Sequence, residues 1–264
     1  MAEYENIEID VSRAGVAVVL LNRPQKRNAF NAEVIGELAD VFETLSKNPE
    51  VRLVLLRGAG PIFSAGADIE WMKAATDYTL HENEEDALAM AEMLRKLHAL
   101  PQVTVALVHG AAMGGGAGLA AACDVAVAMK DTRFSFSEVR MGIIAATISP
   151  YVIEAIGPRW ARALFVTGDT FDAEFAQKIG LVQYVVADET EMEQQAERLA
   201  ALVFQASPAA VADSKDLVEQ VYGREFDLST SRLTAKKLAH RRVSDQGREG
   251  LAAFLEKRKP YWAG

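Results

Sequence analysis

One cysteine, Cys123, stands among 264 residues. A lone thiol excludes an internal disulfide and a metal site built from cysteines, and it fits a reducing compartment. Long apolar runs are missing as well. No uninterrupted stretch of about 18 apolar residues occurs, so no membrane span is expected. The opening MAEYENIEID is acidic and lacks the apolar core of a signal peptide. Positive charge is in deficit: 28 Lys and Arg against 37 Asp and Glu leave a net charge of -9 and a pI near 5.1. That balance argues against nucleic acid or an anionic membrane as the main partner. Familiar catalytic signatures are absent too. There is no GxxxxGK[ST] loop, and Leu119 stands where GxGxxG needs its last glycine. HENEED (81–86) is not HExxH, and Ile62 replaces the leading glycine of a GxSxG elbow around Ser64. His81, His98, His109 and His240 are scattered along the chain. A soluble, cytoplasmic protein is expected.

Half of the residues are hydrophobic, enough for a sizeable core. Strand-length apolar runs recur as VAVVLLN (16–22), VRLVLLRG (51–58), VTVALVHG (103–110), DVAVAM (124–129) and LVQYVV (181–186). Helical periodicity lies between them. Residues 32–47 put Val34, Leu38, Val41, Phe42 and Leu45 on one face, and residues 82–100 do the same with Leu88, Met90, Met93, Leu94, Leu97 and Leu100. Alternating strands and helices predict an α/β protein with covered sheets. From Glu191 onward only helical patterns occur, at 191–206, 208–222, 229–241 and 245–257. The expected division is a core over 1–195 and a helical region over 196–264.

Two glycine-bearing segments follow strands: FSAGADI (63–69) and HGAAMGGGAGL (109–119). Each puts unhindered backbone N–H groups beside a strand end, and two convergent N–H groups can stabilise charge on a carbonyl oxygen. The same glycines would equally serve tight helix–strand packing. Glu138, in TRFSFSEVRMG (132–142), ends a predicted half-buried strand in which Phe134 and Phe136 alternate with serines. It reads either as a proton-exchanging acid or as an exposed partner of Arg140.

Taken in order, LNRPQKRNAFN (21–31), FSAGADI, AAMGGGAGLAAACDVAVA, RFSFSEVRMGI, TGDTFDAEFAQKIGLVQYVV (167–186) and SDQGREGLAAFLEKRKPYW (244–262) resemble the crotonase (enoyl-CoA hydratase/isomerase) superfamily. The resemblance implies a spiral of ββα units followed by helices that serve in trimer assembly, with a homotrimer or a hexamer (a dimer of trimers) as the assembly. It implies an acyl-CoA substrate and no cofactor beyond the CoA within that thioester. Ala67 and Gly115 then match the N–H donors of the oxyanion hole. Ala65, Asp68 and Ile69 match the segment along the CoA path, and Lys26, Arg27 and Ala29 the N-terminal CoA-contacting loop, with Arg23 adding charge. Gly114, Gly118 and Met141 join the substrate-binding set, while Trp71, Met72, Ile144 and Thr147 suggest a partly apolar chamber.

Typical hydratases of that superfamily carry two glutamates. One of them matches Glu138, but the other, in a GGGxE pattern, falls on Gly118. The resemblance therefore leaves hydration by Glu138 alone, double-bond isomerisation by the same residue, or acyl-CoA binding with little catalysis. The block IIAATISPYVIEAIG (143–157) resembles single-glutamate methylglutaconyl-CoA hydratases, which favours hydration of a branched or carboxylated enoyl-CoA. Glu82, Glu84, Glu85 and His98 are candidate replacements for the missing acid, and a glutamate restored at 118 is expected to raise hydration of simple crotonyl-CoA.

Overall fold

The computed structural model describes residues 4–12 and 14–263. In chain order the elements are β1 (Ile7–Val11), β2 (Val16–Leu21), α1 (Ala32–Ser46), β3 (Leu53–Gly58), α2 (Ile69–Ala75), α3 (Leu80–His98), β4 (Val103–Val108), β5 (Ala111–Met113) and α4 (Gly115–Ala122). These are followed by β6 (Val125–Met129), β7 (Arg133–Ser135), α5 (Ser149–Thr167), β8 (Thr170–Asp172), α6 (Ala173–Ile179) and β9 (Tyr184–Val186). Four helices close the chain: α7 (Glu189–Gln205), α8 (Pro208–Val221), α9 (Leu228–Val243) and α10 (Asp245–Leu255).

The larger sheet runs β1-β2-β3-β4-β6-β9, parallel except for the antiparallel β1–β2 pair. Its central strands are buried on both faces, and strand alternation sorts their side chains. Val54, Leu56, Ala106 and Val108 enter the core under α1, α3 and α4. Leu53, Leu55, Val105 and Leu107 face Met192, Ala196 and Leu199 of α7. A smaller sheet, β5-β7-β8, is built from the continuation of the same units. Each of β4–β5–α4 and β6–β7–α5 gives one strand to each sheet and then a helix. The repeat is the ββα spiral.

α1 forms because Asn31 caps it, accepting the Val34 N–H at 3.0 Å, and because its apolar stripe seats on the sheet. α3 begins at a capping box between Thr79 and Glu82. Its buried stripe is Met90, Met93, Leu94 and Leu97; Leu88, expected on that face, is 53% exposed. α5 bends at Gly157, whose φ of 72° breaks the helix before Pro158.

Several expectations need adjusting. The boundary at 195/196 falls inside α7, and α7 packs on the large sheet as part of the core. Only Tyr184–Val186 of the run 181–186 is strand, although Leu181 and Val182 are buried beside it. The strand before Glu138 ends at Ser135, and Glu138 opens a 3₁₀ turn instead. α8 returns to the core through Lys215, whose ammonium lies 2.8 Å from Asp124 and donates to the Gln102 carbonyl. No helix among the described residues is long and apolar enough to cross a membrane.

Candidate active site

Two loop segments lie side by side above the small sheet. Ser64 pairs in parallel with Ala112, donating its N–H to Ala111 and accepting from Met113. Position 67 is three residues beyond Ser64, and position 115 three beyond Ala112, so parallel register brings Ala67 and Gly115 to the same level. Ser64 is fully buried, and its hydroxyl ties the Asn28 carbonyl to the Gly66 N–H. A second parallel bridge, Phe30 with Ala67, fixes the far side: Phe30 donates to Gly66 and Asp68 donates to Phe30. The amides on either side of Ala67 are thereby committed. Ala67's own N–H has no protein acceptor among the described residues.

Gly115 is equally free, for a helical reason. It is the first residue of α4, and the first intrahelical bond runs from Gly118 to Gly114. Gly114 supplies no side chain to cap the helix. Its φ of 48° and ψ of -116° suit only glycine. A Cβ at Gly66 would lie 3.7 Å from the Gly115 nitrogen, which places the two loops in direct contact. Gly115 must itself be small, because Met90 Cε and Phe30 press on its α-carbon.

The acid comes from the small sheet. Phe134 and Phe136 anchor the segment among Phe165 and Phe171 in the core. Beyond them the Glu138 carboxyl turns over Gly114, with Oε1 2.8 Å from where a Cβ would stand there. Oε2 is buried without a hydrogen-bond partner. Burial pushes the pKa of this carboxyl up, opposed only by a backbone hydrogen bond. The pairing with Arg140 that the sequence left open does not occur. Two unengaged N–H groups and a hard-to-ionise acid with one free carboxyl oxygen can bind a carbonyl oxygen and move a proton next to it.

Position 118 is closed. Gly118 is buried within α4, and a Cβ there would stand 2.2 Å from Cγ2 of Ile148. Ile148 is 2% exposed and belongs to the turn leading into α5. The glycine therefore makes room for an isoleucine and offers no surface to a substrate, contrary to its expected binding role. A glutamate introduced there alone has nowhere to go. Both readings of the glycine segment hold: Gly116 and Gly118 serve packing, and Gly115 presents its amide.

The other expected residues divide. Asp68 is buried, caps α2 through the Glu70 N–H, and pairs with Arg23. Burial alone raises its pKa, but the Arg23 and Glu70 hydrogen bonds outweigh that and hold it low. Neither Asp68 nor Arg23 has its charge free for a ligand. Ala29 is buried, its carbonyl accepting from Arg23, and Ala65 is half-buried on the Arg27 carbonyl. Lys26 and Arg27 are exposed at the rim, Lys26 3.2 Å from the still more exposed Glu70. Ile69 and Met141 are exposed apolar residues flanking the site on α2 and on the turn after Glu138. Of the proposed replacement acids, Glu82 is spent in the capping box and Glu84 and Glu85 point to solvent. His98 meets Glu219 of α8 instead.

One acid escaped the sequence reading. Asp86 is half-buried, accepts from the Trp71 indole at 3.1 Å, and has its pKa raised by burial. It lies one turn before Met90, the residue that presses on Gly115. Its helical phase with Met90, Met93 and Leu97 was the available signal, masked by the surrounding run of glutamates.

A domain of ββα units with free amides on two adjacent loops and a half-buried acid is an acyl-activating scaffold in outline. Comparison with known proteins fixes its family. The enoyl-CoA hydratase/isomerase family model matches residues 12–264. A Thermus thermophilus protein provisionally named an enoyl-CoA hydratase is 34% identical over 252 residues, 96% of this chain and 99% of that one. Crotonyl-CoA hydratase of Syntrophomonas wolfei is 31% identical, with 97% of each chain covered. The crystal structure of an enoyl-CoA hydratase from Shewanella pealeana superposes with a TM-score of 0.95 at 35% identity, covering 98% of this chain and 97% of that one. The chain belongs to the enoyl-CoA hydratase/isomerase family and has the crotonase fold.

Proposed function

We propose that the protein adds water across the α,β double bond of an enoyl-CoA, with Glu138 as the sole acid–base. The observation that carries this reading is the unpartnered Glu138 carboxyl beside the free Ala67 and Gly115 amides. The two N–H groups receive the thioester oxygen as negative charge moves onto it. Such a donor is worth roughly 3–4 kcal/mol in the transition state. The Glu138 carboxylate takes one proton from water as the hydroxyl adds to the β-carbon. The protonated carboxyl then gives a proton to the α-carbon, so the acid returns to its starting state. The scheme needs no cofactor apart from the CoA of the substrate. Lys26 and Arg27 at the rim suit the CoA phosphates, and exposed Ile69 and Met141 suit the thioester's apolar portions.

Resemblance of the 143–157 block to single-glutamate methylglutaconyl-CoA hydratases supports a branched or carboxylated acyl group. That block also supplies the Ile148 that closes position 118. The same closure favours a second reading, enoyl-CoA isomerisation, which needs only one base to carry a proton between α- and γ-carbons. Exposed apolar residues on α10 and in the connection between α8 and α9, including Tyr222, Phe226, Phe254 and Leu255, support assembly with further copies of the chain, a homotrimer or its dimer. A cytoplasmic location is consistent with the lone free thiol.

Incubation with a panel of enoyl-CoA thioesters in heavy water tests the reaction. Hydration adds a hydroxyl and a deuteron at the α-carbon. A shifted double bond carrying label indicates the isomerase, and binding without label rules out both.

A further inference from the structure

A cavity of about 800 Å³ lies away from the acyl site, between α3, α5 and α8. His98, at the end of α3, points its Nε2 to within 2.6 Å of Glu219 on α8 and 3.8 Å of Glu154 on α5. All three ligand atoms lie within 4.8 Å of one another. We propose that these residues form a divalent transition-metal site, best suited to Zn²⁺, that fastens α8 to the core.

The surroundings of the ring suit a metal ion. The other ring nitrogen, Nδ1, faces the Ala122 carbonyl at 3.3 Å. A backbone carbonyl behind the ring is the usual support for a metal-bound histidine. Among the described residues no lysine or arginine pairs with Glu154 or Glu219: Arg95 is held by Glu92, and Lys215 by Asp124.

The dimensions agree. Zinc bonds of about 2.0–2.2 Å in tetrahedral geometry set donor atoms about 3.3 Å apart. The two His98 separations, 2.6 and 3.8 Å, bracket that spacing, and all three donor atoms lie within 4.8 Å, so side-chain rotation is what would seat the ion. One nitrogen and two carboxylates suit Zn²⁺ better than Mg²⁺ or Ca²⁺, which favour all-oxygen shells. The cavity leaves a fourth position open to water. Each helix contributes one ligand, so the ion cross-links three elements distant in sequence.

The test uses the chelator-treated full-length chain and Zn²⁺ alone, followed by equilibrium dialysis and titration calorimetry. One equivalent is expected to bind, with Co²⁺ giving visible absorption on substitution. Glu154→Gln with Glu219→Gln should weaken binding at least a hundredfold while leaving the far-UV spectrum and acyl-CoA binding unchanged. His81→Ala, on exposed surface away from the cluster, should leave it intact. Hydrogen exchange in α8 should slow on adding Zn²⁺ to wild type and not to the double variant. Absence of stoichiometric binding below 100 µM as an order-of-magnitude limit, or undiminished binding by the double variant, overturns the assignment.

Discussion

Replacing Gly118 with alanine tests directly whether Ile148 fills the space beside position 118. The new methyl would stand 2.2 Å from Ile148 Cγ2 and 2.7 Å from its Cβ, both on a buried β-branched side chain with one stiff rotamer. Overpacking of this kind costs about 1–3 kcal/mol, and such short contacts belong at the upper end. Alanine returns about 1 kcal/mol through helix propensity, so Gly118→Ala should destabilise by about 2 kcal/mol. Ile148→Ala alone should cost about 2–5 kcal/mol, because it empties a packed position. The two together should cost less than their sum by at least 1 kcal/mol, roughly, since truncation removes the shorter contact and opens space for the methyl. Urea unfolding followed by tryptophan fluorescence measures this cycle, at one protein concentration so that assembly does not shift the midpoint. Additivity within about 0.5 kcal/mol would refute the packing account of Gly118. The same geometry says that Gly118→Glu by itself yields no gain in crotonyl-CoA hydration.

Four further outcomes follow from the site. Glu138→Gln should abolish proton exchange at the acyl-CoA α-carbon while sparing CoA binding, as read by mass spectrometry in heavy water. Burial raises the folded-state pKa of Glu138, so the native state holds extra proton occupancy between the ordinary and raised values, and stability is lost as pH rises through that interval; the glutamine variant should therefore gain melting temperature over wild type at pH 8 and lose that advantage at pH 3. Gly114→Ala should cut turnover at least tenfold, because its Cβ meets Glu138 Oε1 and its φ is positive, with steady-state kinetics as the check. Burial, with Asp124 nearby, pushes the Cys123 thiol up to about 12, so alkylation by iodoacetamide at pH 8 should be roughly a hundredfold slower in the native protein than in urea.

The parts of the fold with strong local periodicity were readable before the coordinates. Residues 32–46 and the runs at 53, 103 and 125 are buried on the faces their spacing requires. Short elements were not. β5 and β8 have three residues each and are strands only because neighbouring units present a sheet edge to them. Leu88 was misplaced because an apolar residue one step out of phase is invisible to composition. The resemblance singled out Ala67, Gly115 and Glu138 as candidates, yet it could not show that Arg23 and Asp68 neutralise each other, or that Gly118 faces Ile148. Both facts depend on residues dozens of positions apart. Asp86 was hidden for a related reason: a half-buried acid within HENEED looks like its solvated neighbours until Trp71 is folded against it.

In the proposed oxyanion hole, backbone register rather than side-chain identity places the two candidate donors. Ser64 and Ala112 are paired in parallel, and equal offsets of three residues carry each strand end to a free N–H. A one-residue insertion in either loop would break the match while leaving every side chain present. This explains why the small residues cluster there. Gly115 is confined by Met90 and Phe30, and Gly114 must let Glu138 close over the loop. Gly66, at φ 84°, must pass against the Met113 carbonyl. The glycines hold the two main-chain segments in contact, as the proposed oxyanion hole requires, and the choice of reaction is left to whatever stands around them. On the proposed reading, with Ile148 over position 118 and Glu138 Oε2 without a partner, Glu138 moves the protons, and Asp86 on α3 is the other half-buried acid whose pKa burial raises.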